Sequence, residues 1–176
     1  MKRGCMCLLA LASNLVAAGT ALAEISVHPQ GLSSFRLGTS LNMAAQRMAS
    51  MDRAALQIGP GCDEREQSVV TGMVAGMPAT VMAMADAQGQ IVEVVASVPH
   101  QGLAVPEHLC QARANVWVRA LLPNLGTGHA TGSVSRGSAT VSQTWFSPRA
   151  KVEARWFAGG GSCDLSLHFG DTRGSQ

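Results

Sequence analysis

The segment from Lys151 to Phe169, KVEARWFAGGGSCDLSLHF, constrains the fold most strongly, because apolar and polar residues alternate on both sides of three glycines. Alternation with a period of two is typical of a β-strand with one buried face. A Gly160-Gly161 turn supplies the positive φ angles that a two-residue hairpin loop of the primed type requires. The sequence therefore predicts a β-hairpin.

The turn also fixes which residues face each other. The pairs expected on the buried face are Trp156–Leu165, Ala154–Leu167 and Val152–Phe169, and those on the polar face are Glu153–His168, Arg155–Ser166 and Phe157–Asp164. A shift by one residue would bury the charged side chains. A glycine-rich phosphate loop would lead into a helix, whereas these glycines lead into a second strand.

The first 23 residues, MKRGCMCLLALASNLVAAGTALA, are typical of a secretory signal peptide. Lys2 and Arg3 precede an apolar stretch, and Ala21-Leu22-Ala23 has the small residues of a cleavage site. The mature chain is expected to begin at Glu24 and to be periplasmic or secreted. Since no later apolar stretch is long enough to cross a bilayer, we expect no membrane span.

Charge narrows the range of partners. Lys2 and Arg3 account for the net charge of +2, so the chain that follows has 11 basic and 11 acidic residues. A neutral chain without a run of basic residues is not expected to bind nucleic acid or an anionic membrane surface. The expected partner is instead a protein of the cell envelope or an apolar ligand.

Three cysteines follow the signal peptide, so one disulfide and one unpaired thiol are expected in an oxidising compartment. Cys163 lies on the buried face of the predicted hairpin. Cys110 lies on the apolar face of a predicted helix that opens at Val105-Pro106-Glu107. We therefore predict a Cys110–Cys163 disulfide with Cys62 left over, although pairing of Cys62 with either partner stays open at the level of sequence.

The whole chain is predicted to be an α+β protein of two α-β-β-β units with helices packed on antiparallel sheets. The first unit covers residues 24–98, the second covers 99–170, and a short tail covers 171–176. Residues 99–102 resemble a linker, and the Gly/Ser/Thr-rich stretch 126–138 is predicted to be a loop. The predicted strands of the second unit are residues 139–146, 150–158 and 162–169.

This layout, in an exported chain of this size, resembles the tandem architecture of the secreted beta-lactamase inhibitor protein family. The stretch Phe35-Arg-Leu-Gly-Thr-Ser40, leading into a helix, is similar to the helix start of BamE-like outer-membrane-assembly lipoproteins. The acidic residue usual in the first helical turn of those lipoproteins and their lipid-bearing cysteine are absent. The resemblance implies a fold and a tendency to bind other proteins, and it implies no active site.

A candidate binding surface comes from residues 79–97, where Asp86 to Gly89 form a predicted turn. Pairing Ala85 with Gln90 makes both faces of this hairpin mostly apolar, so both are expected to be covered. One of the two faces carries Met82, Met84, Ile91 and Val95. This set is expected to contact a protein or an apolar ligand. Core filling is the structural alternative for the same methionines.

Two other functions are compatible with individual residues of the sequence. Glu153 and His168 could form an acid–base pair of a small hydrolase or transferase, but the favoured interpretation is a solvated sheet face with cross-strand charge pairing. No nucleophile is evident beside them, so no catalytic residue is assigned. The methionines could bind copper(I). The histidines lack metal-ligand spacing, so we expect no metal and no cofactor.

Overall fold

The computed structural model describes residues 22–98, 104–135 and 138–172. Most of the predicted signal peptide, the predicted linker and the end of the tail lie outside these residues. The helices are α1 (Leu41–Met48), α2 (Glu107–Leu125) and a short 3-10 helix (Arg53–Leu56). The strands are β1 (Glu24–Ile25), β2 (Val27–His28), β3 (Gly31–Leu32), β4 (Phe35–Arg36), β5 (Gly59–Pro60), β6 (Glu66–Val74), β7 (Met77–Ala85), β8 (Ile91–Val98), β9 (His129–Ser135), β10 (Ser138–Ser147), β11 (Ala150–Gly159) and β12 (Ser162–Asp171).

Nine of the described strands form one large sheet, in the order β1-β6-β7-β8-β12-β11-β10-β9, with β5 paired to β6. The sheet is mixed because β1 runs parallel to β6, and strands β2, β3 and β4 form a separate small sheet. Antiparallel pairing of β8 with β12 joins the strands of the two predicted units edge to edge. The predicted α+β class is confirmed.

Strand β9 corrects the prediction of a loop over residues 126–138. It pairs with β10 from His129 opposite Thr144 to Ser135 opposite Ser138. The strand lies at the edge of the sheet, and its residues 129–132 are exposed. Burial imposes no apolar alternation on these four exposed residues, so small polar residues that are typical of loops can form this part of an edge strand.

The C-terminal hairpin has the predicted register at every pair, from Val152 opposite Phe169 to Phe157 opposite Asp164. Gly160 and Gly161 have φ angles of 58° and 86°, as the primed turn requires. The turn between the strands is therefore made by two residues whose backbone conformation favours glycine.

The hairpin formed by β7 and β8 has a different register from the predicted one. Ala83 lies opposite Val94, and a bulge between Met84 and Ala85 leaves Val92 as an extra residue on β8. The predicted turn is present, since Asp86 Oδ1 accepts hydrogen bonds from the two backbone amides at 88 and 90. The bulge was not predictable from alternation, because an inserted residue changes the face on which all preceding residues lie.

Both helices cover the same face of the large sheet. The buried side chains of α1 are Leu41, Ala44, Ala45 and Met48, which recur at helical spacing and so share one face. The buried side chains of α2 are Cys110, Ala114, Trp117 and Leu121. They belong to one core cluster with the inward-facing row of the strands, which includes Val70, Val81, Ala96 and Leu167.

The predicted disulfide is confirmed. Cys110 on α2 is bonded to Cys163 on β12, with 5.4 Å between their Cα atoms. Cys62 is the free thiol, as predicted, and it is exposed rather than buried. The bond closes a long loop, so in the chain-entropy account it stabilises the fold by roughly 4 kcal/mol. It fixes α2 against the hairpin whose other face carries the candidate site.

Candidate functional site

The large sheet has a second face, turned away from α1 and α2, which we name the open face. The register places one row of side chains across its middle, from β6 to β9. The members of this row are Val69, Met82, Val95, His168, Glu153, Thr144 and His129. Successive side chains of a strand point to opposite faces of the sheet. The register that places the core residues on one face therefore also places this row on the open face.

An ionic cluster occupies the β11 part of the open face. Arg155 Nη2 donates to Glu153 Oε2 at 2.8 Å, and Lys151 Nζ lies 3.2 Å from the same oxygen. The three residues alternate along one strand and therefore share one face. The Glu153 side chain is only 13% exposed, whereas those of Lys151 and Arg155 are 47% and 52% exposed.

The hydrogen bond from Arg155 lowers the pKa of Glu153 from 4.5 to about 2, with further help from Lys151 against the opposing effect of burial. The same hydrogen bond raises the pKa of Arg155. Glu153 is therefore ionised throughout the physiological pH range. One buried carboxylate holds two cations whose ends extend into solvent.

A cavity of about 500 Å³ opens beside this cluster. The open-face side chains that line it come from β8, β10, β11 and β12, and they are Glu93, Phe146, Lys151, Glu153, Arg155 and His168. Phe146 lies opposite Lys151 in the register and is 68% exposed. The cavity thus combines an exposed aromatic ring with cationic and anionic groups.

His168 lies in the middle of the open face, and its neighbours set its charge. Burial lowers its pKa, and the positive charge of Arg155 lowers it further, while Glu93 and Glu153 act in the opposite direction. Its Nε2 atom lies 3.2 Å from Ser166 Oγ. Ser166 is a polar partner that sequence reasoning missed, although its position two residues before His168 places both on one strand face.

The predicted apolar surface is divided between the two faces. Met82, Met84 and Val95 lie on the open face, while the bulge turns Ile91 into the core, where it is fully buried. Met84 and Val95 are 6% and 8% exposed.

Arg65 covers part of the same region. Its Nη2 atom lies 3.5 Å from Met84 Sδ and 2.9 Å from Glu93 Oε2, and its Nε atom bonds Asp63. The guanidinium group therefore packs over the methionine and closes the β6–β8 part of the open face.

The candidate metal ligands are the His, Cys, Asp, Glu and Met side chains of the described residues. Within the three described ranges, no group of three or more His, Cys, Asp or Glu side chains is placed to hold an ion. Among the methionines, Met82 and Met84 lie on one face of β7, Met77 lies at the start of the same strand, and Met73 lies in β6.

The fold and the site define a class of protein: an α+β domain in which helices and a disulfide cover one face of a sheet and leave the other face to carry the candidate site. No protein-family profile, characterised protein or solved structure matches this chain. Among the described residues, no helix is both long enough and apolar enough to cross a membrane. The functional argument therefore depends on the residues of the site.

Proposed function

We propose that this protein is an exported, non-enzymatic binding protein that holds a protein partner on the part of the open face formed by β10, β11 and β12. The main support is the exposure of Phe146, Lys151 and Arg155 around one cavity. Aromatic and arginine side chains are enriched where proteins bind one another. Phe157, which is 38% exposed on the same face, extends this surface along β11.

Protein binding fits this surface better than binding of a purely apolar ligand. Pockets for apolar ligands are deep and are lined mainly by hydrophobic side chains. Here charged ends surround a single exposed ring, and the neighbouring apolar side chains Met84 and Val95 are already buried. A surface that mixes charged groups with an exposed aromatic ring is typical of protein interfaces.

Export is supported by the N-terminal sequence and by the disulfide, since such bonds persist in oxidising compartments. The protein purified from its own cells should begin at Glu24, with Cys5 and Cys7 removed. Intact-mass measurement of that protein gives the N-terminus directly. A mass that includes residues 1–23 would contradict processing at the predicted site.

Site-specific photo-crosslinking tests the docking surface. A photoreactive amino acid replaces Phe146 in one variant and Leu109 on α2 in the control, because Leu109 is 52% exposed away from the sheet. The proposal predicts that position 146 gives a discrete crosslink to one protein, and that the purified partner binds the wild type more tightly than Phe146→Ala. Crosslinking from position 109 alone, or no binding of the purified partner, would contradict it.

One observation favours a second function, in which the protein is a small hydrolase. Ser166 Oγ and His168 Nε2 are within hydrogen-bond distance beside the cavity, and a neutral His168 can accept a proton. In such a reaction Ser166 Oγ attacks an ester carbonyl, His168 transfers the proton to the leaving alkoxide, and water then releases the acyl group.

The chain contains its own control for this second function. Ser26 Oγ and His28 Nε2 lie 3.1 Å apart, also two residues apart on a strand. Hydrolysis of p-nitrophenyl acetate that is lost in Ser166→Ala and retained in Ser26→Ala would establish the reaction. Equal rates for wild type and Ser166→Ala would exclude Ser166 as the nucleophile.

A further inference from the structure

We propose that Lys151 and Arg155 bind an acidic side chain of the partner, so that an Asp or Glu projecting from the partner's surface inserts beside Phe146. This inference rests on the proposed function and names the chemistry of the partner at that surface. A side chain fits better than a chain terminus, because the cavity lies within a broad sheet face on which the surface of a folded partner would rest.

The first argument is the balance of charge within the ionic cluster. Lys151, Glu153 and Arg155 carry two positive charges and one negative charge. Glu153 is mostly buried and uses Oε2 for both cations, whereas the cationic ends are about half exposed. At this cluster an approaching group therefore meets the N–H donors of Lys151 and Arg155 rather than the carboxylate of Glu153.

The second argument is preorganisation. Free lysine and arginine side chains lose rotamer freedom when they bind a ligand, and this loss weakens binding. Glu153 already holds both side chains, so much of that freedom is lost before the partner arrives. Because both cations contact the same oxygen, their ends lie close enough together to bind one carboxylate between them.

The remaining charges indicate where in the cavity the acidic group would lie. Glu93 lines the far side, but it is bonded to Arg65, which also bonds Asp63. Asp171, opposite Ala150 at the end of β12, also lines the cavity. Repulsion from Glu93 on β8 favours a position of the acidic group near β11, between Lys151 and Arg155.

Phe146 specifies the neighbour of the acidic residue. Its ring is exposed directly across from Lys151, so a partner whose acidic group reaches Lys151 also brings its adjacent residue onto the ring. An apolar residue of the partner that packs on the Phe146 ring would bury apolar surface on both proteins. The expected recognition element is thus an acidic residue next to an apolar one.

Three N-acetylated tetrapeptides test whether the cavity binds an acidic side chain. Binding is followed by NMR of isotope-labelled protein. The probe is Ac-Gly-Glu-Leu-Gly-NH2, the neutral control replaces Glu by Gln, and Ac-Gly-Gly-Leu-Gly-OH offers only a chain-terminal carboxylate. We expect the Glu peptide to shift the amide signals of residues 151–155 and to bind about fivefold more tightly than the Gln peptide. Equal affinity of the Glu and Gln peptides, an absence of saturable shifts, or preference for the terminal carboxylate would overturn the inference.

Variants then locate the binding. Lys151→Gln with Arg155→Gln keeps side-chain length and should abolish the preference for Glu over Gln, while the control pair Arg113→Gln with Arg119→Gln on α2 should retain it. Thermal melts show whether each variant is folded. If the crosslinked partner binds the Lys151/Arg155 variant as tightly as the wild type but loses affinity for Phe146→Ala, the docking surface is correct and the acidic contact is wrong.

Discussion

The two hairpins at the centre of the sheet, β7–β8 and β11–β12, use the open face in different ways. On β7–β8, Met84 and Val95 are buried, and Arg65 packs against the methionine. On β11–β12, the ends of Lys151 and Arg155 extend into solvent next to a cavity. Each hairpin packs one apolar face against the helices. The difference indicates that the first hairpin contributes stability on both faces, whereas the second can bind on one.

The same contrast explains why the methionine-containing surface is less suited to binding than its sequence indicates. A side chain that its own neighbours have already covered gains little further burial from a partner. Exposed charged and aromatic groups beside a cavity can still be buried by a partner. The comparison between the hairpins can therefore be tested by variants that separate stability from binding.

The largest expected effect comes from the disulfide, which anchors the second hairpin to α2. Cys110→Ser with Cys163→Ser should lower the free energy of unfolding by roughly 4 kcal/mol, because the unfolded chain regains loop entropy. Chemical denaturation measures this change. The control Cys62→Ser alters an exposed free thiol and should leave stability unchanged. An equal loss in both proteins would show that the bond does not carry the stability assigned to it.

Truncation of one residue on each hairpin tests the comparison itself. Met84→Ala removes a buried side chain and should cost about 2 kcal/mol of unfolding free energy. Phe146→Ala removes an exposed ring and should change that free energy by less than about 0.5 kcal/mol. Thermal and chemical denaturation of both variants provide the measurement. If Phe146→Ala were the more damaging change, the assignment of structural and binding roles would be reversed.

A smaller effect is expected from Glu153. Its pKa is about 2 in the fold against an ordinary value of 4.5, so the stabilisation is present above about pH 4.5 and is lost as the pH falls toward 2. Solvent near the half-exposed cations screens the interaction to about 1 kcal/mol. Glu153→Gln should lower stability by that amount at neutral pH and by less near pH 2. A pH-independent difference between the two proteins would rule out this ionisation as the cause.

The comparison also shows what the sequence could predict. The register of β11–β12 followed from alternation around a turn that needs two glycines, because this alternation fixes which residues face the core. The prediction of the Cys110–Cys163 bond combined that register with the apolar face of the predicted helix. The β7–β8 turn was equally visible, but the bulge at Met84 and Ala85 shifted the register and moved Ile91 to the other face. Local patterns predict a hairpin well until an inserted residue interrupts them.

Features that depend on residues far apart in the sequence were harder to predict. Pairing of β8 with β12 joins residues about seventy positions apart, and no local pattern indicates it. Residues 129–132 of β9 are all exposed, so burial imposes no alternation on them that the sequence could show. The contact of Ser166 with His168 was available in principle, because residues two apart on a strand share a face, whereas the Arg65–Met84 contact depends on the packing of three strands.

The most direct test of the central claim is hydroxyl-radical footprinting of the complex with the crosslinked partner, read out by mass spectrometry. Oxidation of Phe146 and Phe157 reports on the proposed surface, and oxidation of Leu109 and Val116 reports on the exposed side of α2. We predict that the partner protects both phenylalanines and leaves the α2 residues unchanged. Protection of Leu109 and Val116 with full oxidation of Phe146 and Phe157 would contradict the account.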